Sequence, residues 1–325
     1  MPLTFVDVHP ELNHENYARN SIENIGFYAV SLNSKNAFAS ALGQLWENIK
    51  AGKDCSSYGS QAEFDVNIRP FIDAVESEAE GVLGHSGLVT DLQVRESVPD
   101  DNTPHSAPFS NFHVDVPCVQ ALFAREFYRK FSDTKTQGGE TLKECINFSD
   151  FMGRVESEDG FLYLVNQDVV DLLREESEGE DETGYDCSAS SSVGGQLNCW
   201  FPLNRNVECA QPTLGLMHKD CFDPVMDACD AAEDVFGYGR TPSDAESKVK
   251  EAYNKYTVHA FPRLTHGDGI FFDGRRVLHS SIYVVNEKFQ KQSARASIEL
   301  RYTILSKKEI QAYIQTFLEH VQNDE

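Results

Sequence analysis

The sequence is short of positive charge and of long apolar runs, and each shortage excludes a class of protein. Lysine and arginine total 28 against 52 aspartates and glutamates, so the formal net charge is −24. A surface this acidic repels nucleic-acid phosphates and anionic membranes, and we therefore expect neither as a partner. No apolar run in the chain approaches the length of a membrane span.

Paired cysteines are also missing, because none of the eight cysteines stands in a CxxC pair. This spacing gives no support to a zinc ribbon or a thioredoxin-type motif. Single cysteines scattered over 325 residues are typical of reduced thiols. The opening residues lack the basic and apolar regions of a signal peptide. Together these features predict a cytoplasmic protein.

The patterns of apolar residues predict a mainly β fold with flanking helices. Residues 1–104 are expected to be mostly helical, because NAFASALGQLWENIKAG and IRPFIDAVESEAEGVLGHSG each have the pattern of a helix. From about residue 105, short apolar runs bounded by Gly, Pro, Asn and Asp predict the strands of a barrel or sandwich. These runs are NFHVDV, GFLYLVN, LNCWFPLN, PTLGLMH, GIFFDG and ASIELRYTIL.

Two stretches interrupt the strand-rich part of the chain. Residues 174–195 are acidic and rich in serine and glycine, which predicts a surface loop, and residues 223–256 have the pattern of helices on a long excursion. Residues 306–325 begin with SKKE, which has capping-box spacing and predicts a C-terminal helix. We expect a single domain over residues 1–325, with its strand-rich core in residues 105–305.

A histidine stands two residues before an aspartate at three places, namely His113/Asp115, His218/Asp220 and His266/Asp268. Two such side chains on a strand project to the same side and can hold a metal. The first pair lies in the alternating run FHVDV, which would direct both side chains inward. The second pair follows PTLGLM and is interpreted as a strand end. The third has glycines on both sides of its aspartate and is interpreted as a turn. For the first pair the alternative is an ordinary hydrogen-bonded pair.

Two later segments add candidates for the same site. GDGIFFDGRRVLHSS carries His279 after a strand and a turn, and ARASIELRY places Arg295, Ser297, Glu299 and Arg301 on one face of a strand. Two histidines and one carboxylate with open coordination positions form the facial triad of non-heme Fe(II) oxygenases. An arginine with a hydroxyl two residues further on suits the carboxylate of a bound cosubstrate.

With these motifs the sequence resembles the Fe(II)- and 2-oxoglutarate-dependent oxygenases, in particular their phytanoyl-CoA-dioxygenase-like branch. The resemblance covers roughly residues 105–305 and lies in NCWFPLN with PTLGLMH, in GDGIFFDGRRVLHSS and in RASIELRY. The fold of this family is a double-stranded β-helix, a cupin-like jelly roll. The resemblance implies an oxidoreductase that uses Fe(II), 2-oxoglutarate as cosubstrate and O2 to oxidise a C–H bond.

The resemblance also implies which residues form the site. His113, Asp115 and His279 match the iron ligands of the family, and Arg295, helped by Ser297, matches the group that binds the distal carboxylate of 2-oxoglutarate. The halogenases of the family have a small residue in place of the ligand carboxylate. The presence of Asp115 therefore favours oxygen transfer or desaturation-type chemistry.

Two alternatives for the site stay open. His218 and Asp220 with His279 form a rival ligand set, with the closer spacing found in more compact oxygenases. Arg301 is the alternative to Arg295, because the spacing from His279 to Arg295 (295 − 279 = 16) is longer than is usual in the family. The chain also lacks the Asn-Gly that the family has before the segment matching PTLGLMH.

The substrate is expected to be a small molecule, and Arg275 and Arg276, just before His279, are the candidate substrate residues. If they face the site, a small anionic substrate fits, either amino-acid-like or a specialised metabolite. It would be hydroxylated or closed into a ring, as by the algal kainoid synthases of the family. The alternative role for both arginines is surface salt bridging. The alternative functions are a peptidyl or protein hydroxylase and a non-enzymatic β-sandwich binding protein.

Overall fold

The computed structural model describes most of the helices and strands, over residues 3–6, 15–32, 36–53, 61–84, 86–97, 114, 121–136, 138–158, 160–177, 195–204, 212–225, 255–261, 264–283 and 294–322. Within these ranges, none of the helices is both long and apolar enough to cross a membrane. His113 and Asp115 lie outside the described residues, as do residues 178–194 and 226–254 of the two expected interruptions. The expectations for those segments therefore remain predictions.

The described strands form two sheets. The strands are β1 (Leu3–Phe5), β2 (Phe27–Ser31), β3 (Gly87–Ser97), β4 (Gln196–Pro202), β5 (Pro212–Met217), β6 (Val258–Ala260), β7 (Asp268–Asp273), β8 (His279–Tyr283) and β9 (Arg295–Ile304). One sheet has four strands in the order β1-β6-β5-β8, and the other has five in the order β2-β7-β4-β9-β3. All of these neighbours are antiparallel except β1 and β6.

Helices flank the sheets, as the sequence predicts. They are α1 (Glu15–Ile25), α2 (Asn36–Lys50), α3 (Gln61–Asn67), α4 (Arg69–Leu83), α5 (Ala121–Phe131), α6 (Leu142–Cys145), α7 (Phe148–Ser157), α8 (Phe161–Ser177) and α9 (Lys307–Gln322). More of the described residues are helical than extended, so the expectation of a mainly β protein underestimated the helical part.

Local signals in the sequence account for where several helices begin and end. The expected helices at the start of the chain are α2 and α4, and α4 ends at Gly84, whose left-handed backbone lets its N–H donate to the carbonyl of Glu80. The capping box before α9 is present, because the backbone N–H of Ser306 donates to the Glu309 carboxylate and the N–H of Glu309 donates to the Ser306 hydroxyl. The C-terminal helix is thus confirmed.

One face of the five-stranded sheet packs against α1, α2 and α4. Alternate side chains of its strands enter a core that they share with these helices. The strand residues in this core include Tyr28, Val30, Leu197, Cys199, Phe201, Phe271, Ile298, Leu300 and Tyr302. The opposite face of the same strands therefore points towards the other sheet.

A second helical layer was not expected from the sequence. Helices α5, α7, α8 and α9 pack around Phe127, Phe151 and Phe317, and Leu88 of β3 joins their core. The expectation of a strand in GFLYLVN, residues 160–166, is wrong, because most of this run belongs to α8. Phe161 and Val165 stand four residues apart and are both buried, so the run follows a helical period rather than an alternating one.

Candidate functional site

Apolar side chains from both sheets meet in a core between them. Phe27, Ala29, Trp200, Ile270 and Phe272 come from the five-stranded sheet, and Leu214 and Leu216 come from the other. These residues mark the inner face of each sheet. The candidate residues for a site can be located relative to this inner face.

The strand register arranges the inner face of the five-stranded sheet in rows. The first row, across β2, β7, β4, β9 and β3, consists of Phe27, Phe272, Asn198, Arg301 and Asp91. The second row, in the same strand order, consists of Ala29, Ile270, Trp200, Glu299 and Gln93. Both rows are apolar on β2 and β7 and polar on β9 and β3.

His279 is the first residue of β8 and lies on the inner side of the four-stranded sheet. It is 3% exposed, and its ring centroid is 4.7 Å from that of Phe272 in the first row. Its Nδ1 lies 3.1 Å from the carbonyl oxygen of Val277. A carbonyl oxygen only accepts, so Nδ1 is the donor in this contact, and in the neutral ring Nε2 then has the lone pair. This is the arrangement in which a histidine ligates a metal through Nε2.

Arg295 and Ser297, at the beginning of β9, are also buried. The guanidinium carbon of Arg295 is 4.5 Å from the ring centroid of Trp200 in the second row. A guanidinium stacked on an indole ring in this way is held at a fixed angle. Ser297 shares the inward face of the strand with Arg295 and is 2% exposed.

His279 and Arg295 contact neighbouring rings of the same sheet face. Trp200 on β4 is paired with Ile270 on β7, two residues before Phe272. Phe272 and Trp200 are therefore diagonal neighbours, about 7–8 Å apart. The structure thus places an imidazole and a guanidinium, far apart in the sequence, against two rings of the same sheet face.

Arg301 has a different environment, because its Nη1 is 3.4 Å from the Asp91 carboxylate on β3. Gln93 donates to the same carboxylate oxygen at 2.7 Å. Arg95 donates to the Gln93 amide oxygen and lies 3.6 Å from the Glu299 carboxylate. We call these five side chains the polar ladder. Its β3 members were not predicted from the sequence, although Asp, Gln and Arg alternate with apolar residues in TDLQVR, which is the signal that could have identified them.

The other two histidine–aspartate pairs have local roles. His218 follows the end of β5, and its Nδ1 accepts a hydrogen bond of 3.2 Å from the backbone N–H of Asp220, which caps a short 3₁₀ turn. Asp268 accepts two bonds of 2.7 Å from the backbone and hydroxyl of Thr265. The interpretations of the second pair as a strand end and of the third as a turn are both confirmed.

Arg275 and Arg276 lie in the turn between β7 and β8. Arg276 lies 3.7 Å from the carboxylate of Asp223, and that aspartate side chain is 71% exposed. This is a surface ion pair of the kind named as the alternative role. The guanidinium of Arg275 lies beside the backbone of Gly195, just before β4.

No complete metal site is present among the described residues, where no three His, Cys, Asp or Glu side chains are grouped to hold a metal ion. Of the implied ligands, His279 is described, whereas His113 and Asp115 lie outside the described ranges. The described part of the chain therefore supplies one candidate ligand and one candidate carboxylate-binding residue.

No protein-family model and no curated protein matches the chain. Among solved structures, it is similar to the iron and alpha-ketoglutarate-dependent endoperoxidase NvfI (12% identity, TM-score 0.41, covering 88% of this chain and 80% of that chain). It is also similar to the non-heme alpha ketoglutarate dependent epimerase SnoN from nogalamycin biosynthesis (12% identity, TM-score 0.41, covering 89% of this chain and 80% of that chain). A third similar structure is AviO1 from Streptomyces viridochromogenes (12% identity, TM-score 0.41, covering 89% of this chain and 95% of that chain). At these TM-scores the likeness carries no argument about function.

Proposed function

We propose that the protein is a non-heme Fe(II)- and 2-oxoglutarate-dependent oxygenase built on a double-stranded β-helix. Its reaction is the oxidation of a C–H bond in a small amino-acid-like or specialised-metabolite substrate, by hydroxylation or by oxidative ring closure. The observation that carries the proposal is the position of His279 and Arg295 over neighbouring aromatic rings between two facing sheets. The sequence motifs FHVDV, VLHSS and RAS support it.

The residues around His279 fit an iron ligand. The hydrogen bond from Nδ1 to the Val277 carbonyl orients the ring and presents Nε2 for coordination. His113 and Asp115 are the proposed partners that complete a facial triad. When bound, Fe(II) and 2-oxoglutarate would supply the O2-activating chemistry. His279 is 3% exposed and lies against the buried ring of Phe272, which would keep bulk water away from it.

The environment of Arg295 fits a binding group for the distal carboxylate of 2-oxoglutarate. Its guanidinium is buried and is oriented by Trp200, and a planar fork binds a carboxylate through two hydrogen bonds. Ser297, on the same strand face, would add a hydroxyl. Arg301 is less suited to this role, because the Asp91 carboxylate beside its guanidinium would repel the distal end of 2-oxoglutarate, which carries only negative charge.

The substrate in this proposal is small and carries at least one anionic group. Arg275 and Arg276 were the candidates for binding it. The exposed contact of Arg276 with Asp223 favours a surface role for Arg276. Arg275, next to Gly195 at the start of β4, keeps the candidate role near one end of the five-stranded sheet.

An anaerobic titration tests the proposal. The purified protein is mixed with Fe(II) and 2-oxoglutarate, and the visible charge-transfer band of the chelated cosubstrate is followed. The band should appear, and succinate should form once O2 is admitted. His279→Ala should abolish both, because the metal loses a ligand, and Asp115→Ala should abolish hydroxylation-type activity.

The matched control is His218→Ala, which removes a histidine that caps a turn near the strand end, and much of the signal should remain. If His218→Ala abolishes iron binding and His113→Ala does not, the ligands are His218, Asp220 and His279. If folded wild-type protein gives no band, the oxygenase proposal is wrong, and a binding protein becomes the better explanation. Added oxygen in a panel of basic peptides, measured by intact mass, would instead point to a peptidyl hydroxylase.

A further inference from the structure

We infer that the polar ladder binds the zwitterionic headgroup of an α-amino acid, with Arg301 receiving its carboxylate and Asp91 its ammonium group. The inference rests on the proposed function, since it concerns the substrate of the same site. It assigns the headgroup to β9 and β3 rather than to Arg275 and Arg276. It also gives Arg301 a role other than binding the cosubstrate.

The first reason is position on the sheet. Arg301 lies in the same row as Phe272, the residue whose ring His279 contacts. Strand β4 lies between them, so two strand spacings, about 10 Å, separate their backbones. Asp91 lies one strand further along the same row. An amino acid held by Asp91 and Arg301 could extend a side chain of several carbons along the row towards His279.

The second reason is the balance of charge on the polar ladder. Its four charged side chains are two acids, Asp91 and Glu299, and two bases, Arg95 and Arg301, so the ladder has no net charge. An α-amino-acid headgroup has no net charge either. A ligand group with only negative charge would meet Arg301 favourably but would be repelled by Asp91 and Glu299. The ladder therefore suits a zwitterion better than an anion.

The third reason is the burial of the charged pair. The side chains of Arg301 and Asp91 are only 8% and 3% exposed. Desolvating two charges costs about as much free energy as their attraction returns, so an apolar pair would hold β3 to β9 equally well. Stability alone is therefore a weak reason for charges at these positions. Recognition of a charged ligand accounts for them, because both poles of the headgroup need a partner when water is excluded.

The geometry of the pair fits the two poles. A guanidinium binds a carboxylate through parallel N–H donors, and a carboxylate accepts from an ammonium group. Arg301 and Asp91 are paired residues on adjacent antiparallel strands, which places the two charges side by side. Gln93 donates to Asp91 and orients its carboxylate. The headgroup would lie across β9 and β3 with each charge next to its opposite.

Calorimetric titration under nitrogen tests this inference on protein loaded with Fe(II) and 2-oxoglutarate. The probes are L-glutamate, L-lysine, L-leucine and L-phenylalanine, each compared with its α-carboxamide and its desamino counterpart. At least one amino acid should bind, and losing either pole should weaken its binding tenfold or more. Asp91→Asn should reduce the preference for the ammonium group, and Arg301→Gln should reduce the preference for the carboxylate.

A charge-swapped variant separates recognition from a structural role. The double variant Asp91→Arg with Arg301→Asp keeps an ion pair between β3 and β9 but reverses its direction. We expect its thermal stability to approach that of the wild type while amino-acid binding weakens tenfold or more. Arg154→Gln is the control, since it removes a partly buried arginine from α7 that donates to the His320 carbonyl, and binding should not change.

Three outcomes would overturn the inference. The first is wild-type affinity in the single and swapped variants, which would leave the pair a purely structural role. The second is equal affinity for an amino acid and for its amide and desamino counterparts. The third is that no probe binds although the charge-transfer band forms, in which case the oxygenase proposal stands without this headgroup site. Absence of the band itself is the separate failure of the proposed function.

Discussion

Replacing Arg295 with alanine is expected to prevent 2-oxoglutarate binding at ordinary concentrations while iron still binds. Arg295 is 3% exposed, so a carboxylate that reached its guanidinium would be buried with it. Removing one side of a buried charge pair costs about 3–5 kcal/mol, and each ~1.4 kcal/mol is a tenfold change in affinity. The dissociation constant for 2-oxoglutarate should therefore increase by a factor between roughly a hundred and several thousand.

Two milder substitutions give graded effects. Arg295→Lys keeps the charge but loses both the fork and the planar contact with Trp200, so affinity should fall between wild type and alanine. Trp200→Phe keeps a ring that attracts the cation less strongly, and since such contacts contribute up to about 2 kcal/mol, the loss should be several-fold. The control is Arg125→Gln, which removes another buried arginine, stacked 4.6 Å from the ring of Phe64.

The assay is a titration of each variant with 2-oxoglutarate at saturating Fe(II) without O2, accompanied by a thermal melt to show that the variant is folded. Arg125→Gln should lower stability without changing 2-oxoglutarate affinity. If Arg295→Ala binds as tightly as wild type, our reasoning about the site is refuted. An affinity loss confined to Arg301→Gln would instead move the cosubstrate to Arg301 and contradict the headgroup assignment.

Three further predictions concern the rest of the molecule. Glu126 is fully buried and accepts a 2.6 Å hydrogen bond from Arg69. Glu126→Gln should therefore lower the free energy of unfolding, measured in urea, by about 3 kcal/mol. A loss under about 1 kcal/mol is typical of a surface ion pair and would contradict this prediction. Burial raises the pKa of Glu76 above 4.5, so the free energy of unfolding should fall as pH rises from about 4.5 through that higher pKa. Glu76→Gln should make the free energy of unfolding less dependent on pH in this window, and an unchanged pH dependence would contradict the prediction. Iodoacetamide at pH 8 should label exposed Cys145 in the native protein but not Cys221, because burial raises the pKa of the Cys221 thiol to about 12. Peptide mass spectrometry would contradict this prediction if the two cysteines were labelled at the same rate.

Features that depend on neighbouring residues in the chain could be predicted from the sequence. The helical spacing of α2, the capping box of α9 and the alternating runs that became β4 and β9 are all local patterns. The prediction of a strand for residues 160–166 was wrong because an apolar segment of that length fits a strand or a buried helix equally well. Only its packing within the second helical layer determines which of the two it becomes.

The candidate site depends on which strands pair, and pairing is not a local property. Alternation placed Arg295 and Arg301 on one strand face, which is correct, but it could not distinguish their surroundings. The neighbour of Arg301 is Asp91, on a strand more than two hundred residues earlier in the chain, and the neighbour of Arg295 is Trp200. The ligand roles of His113 and Asp115 remain predictions, because both residues lie outside the described ranges.

The position of β9 in its sheet has a consequence for how the protein is made. β9 comes after all the other described strands, yet it lies between β4 and β3 rather than at an edge. Until β9 leaves the ribosome, β3 and β4 each lack their neighbour and expose unpaired backbone groups along one side, which is a template for aggregation. Pairing β9 with β3 then closes a loop of about two hundred residues, since the hydrogen bond from Thr90 to the Arg301 carbonyl joins residues 211 positions apart in the sequence. Contacts between residues so far apart in the sequence form slowly. The nascent chain should therefore depend on chaperones more than its final stability suggests.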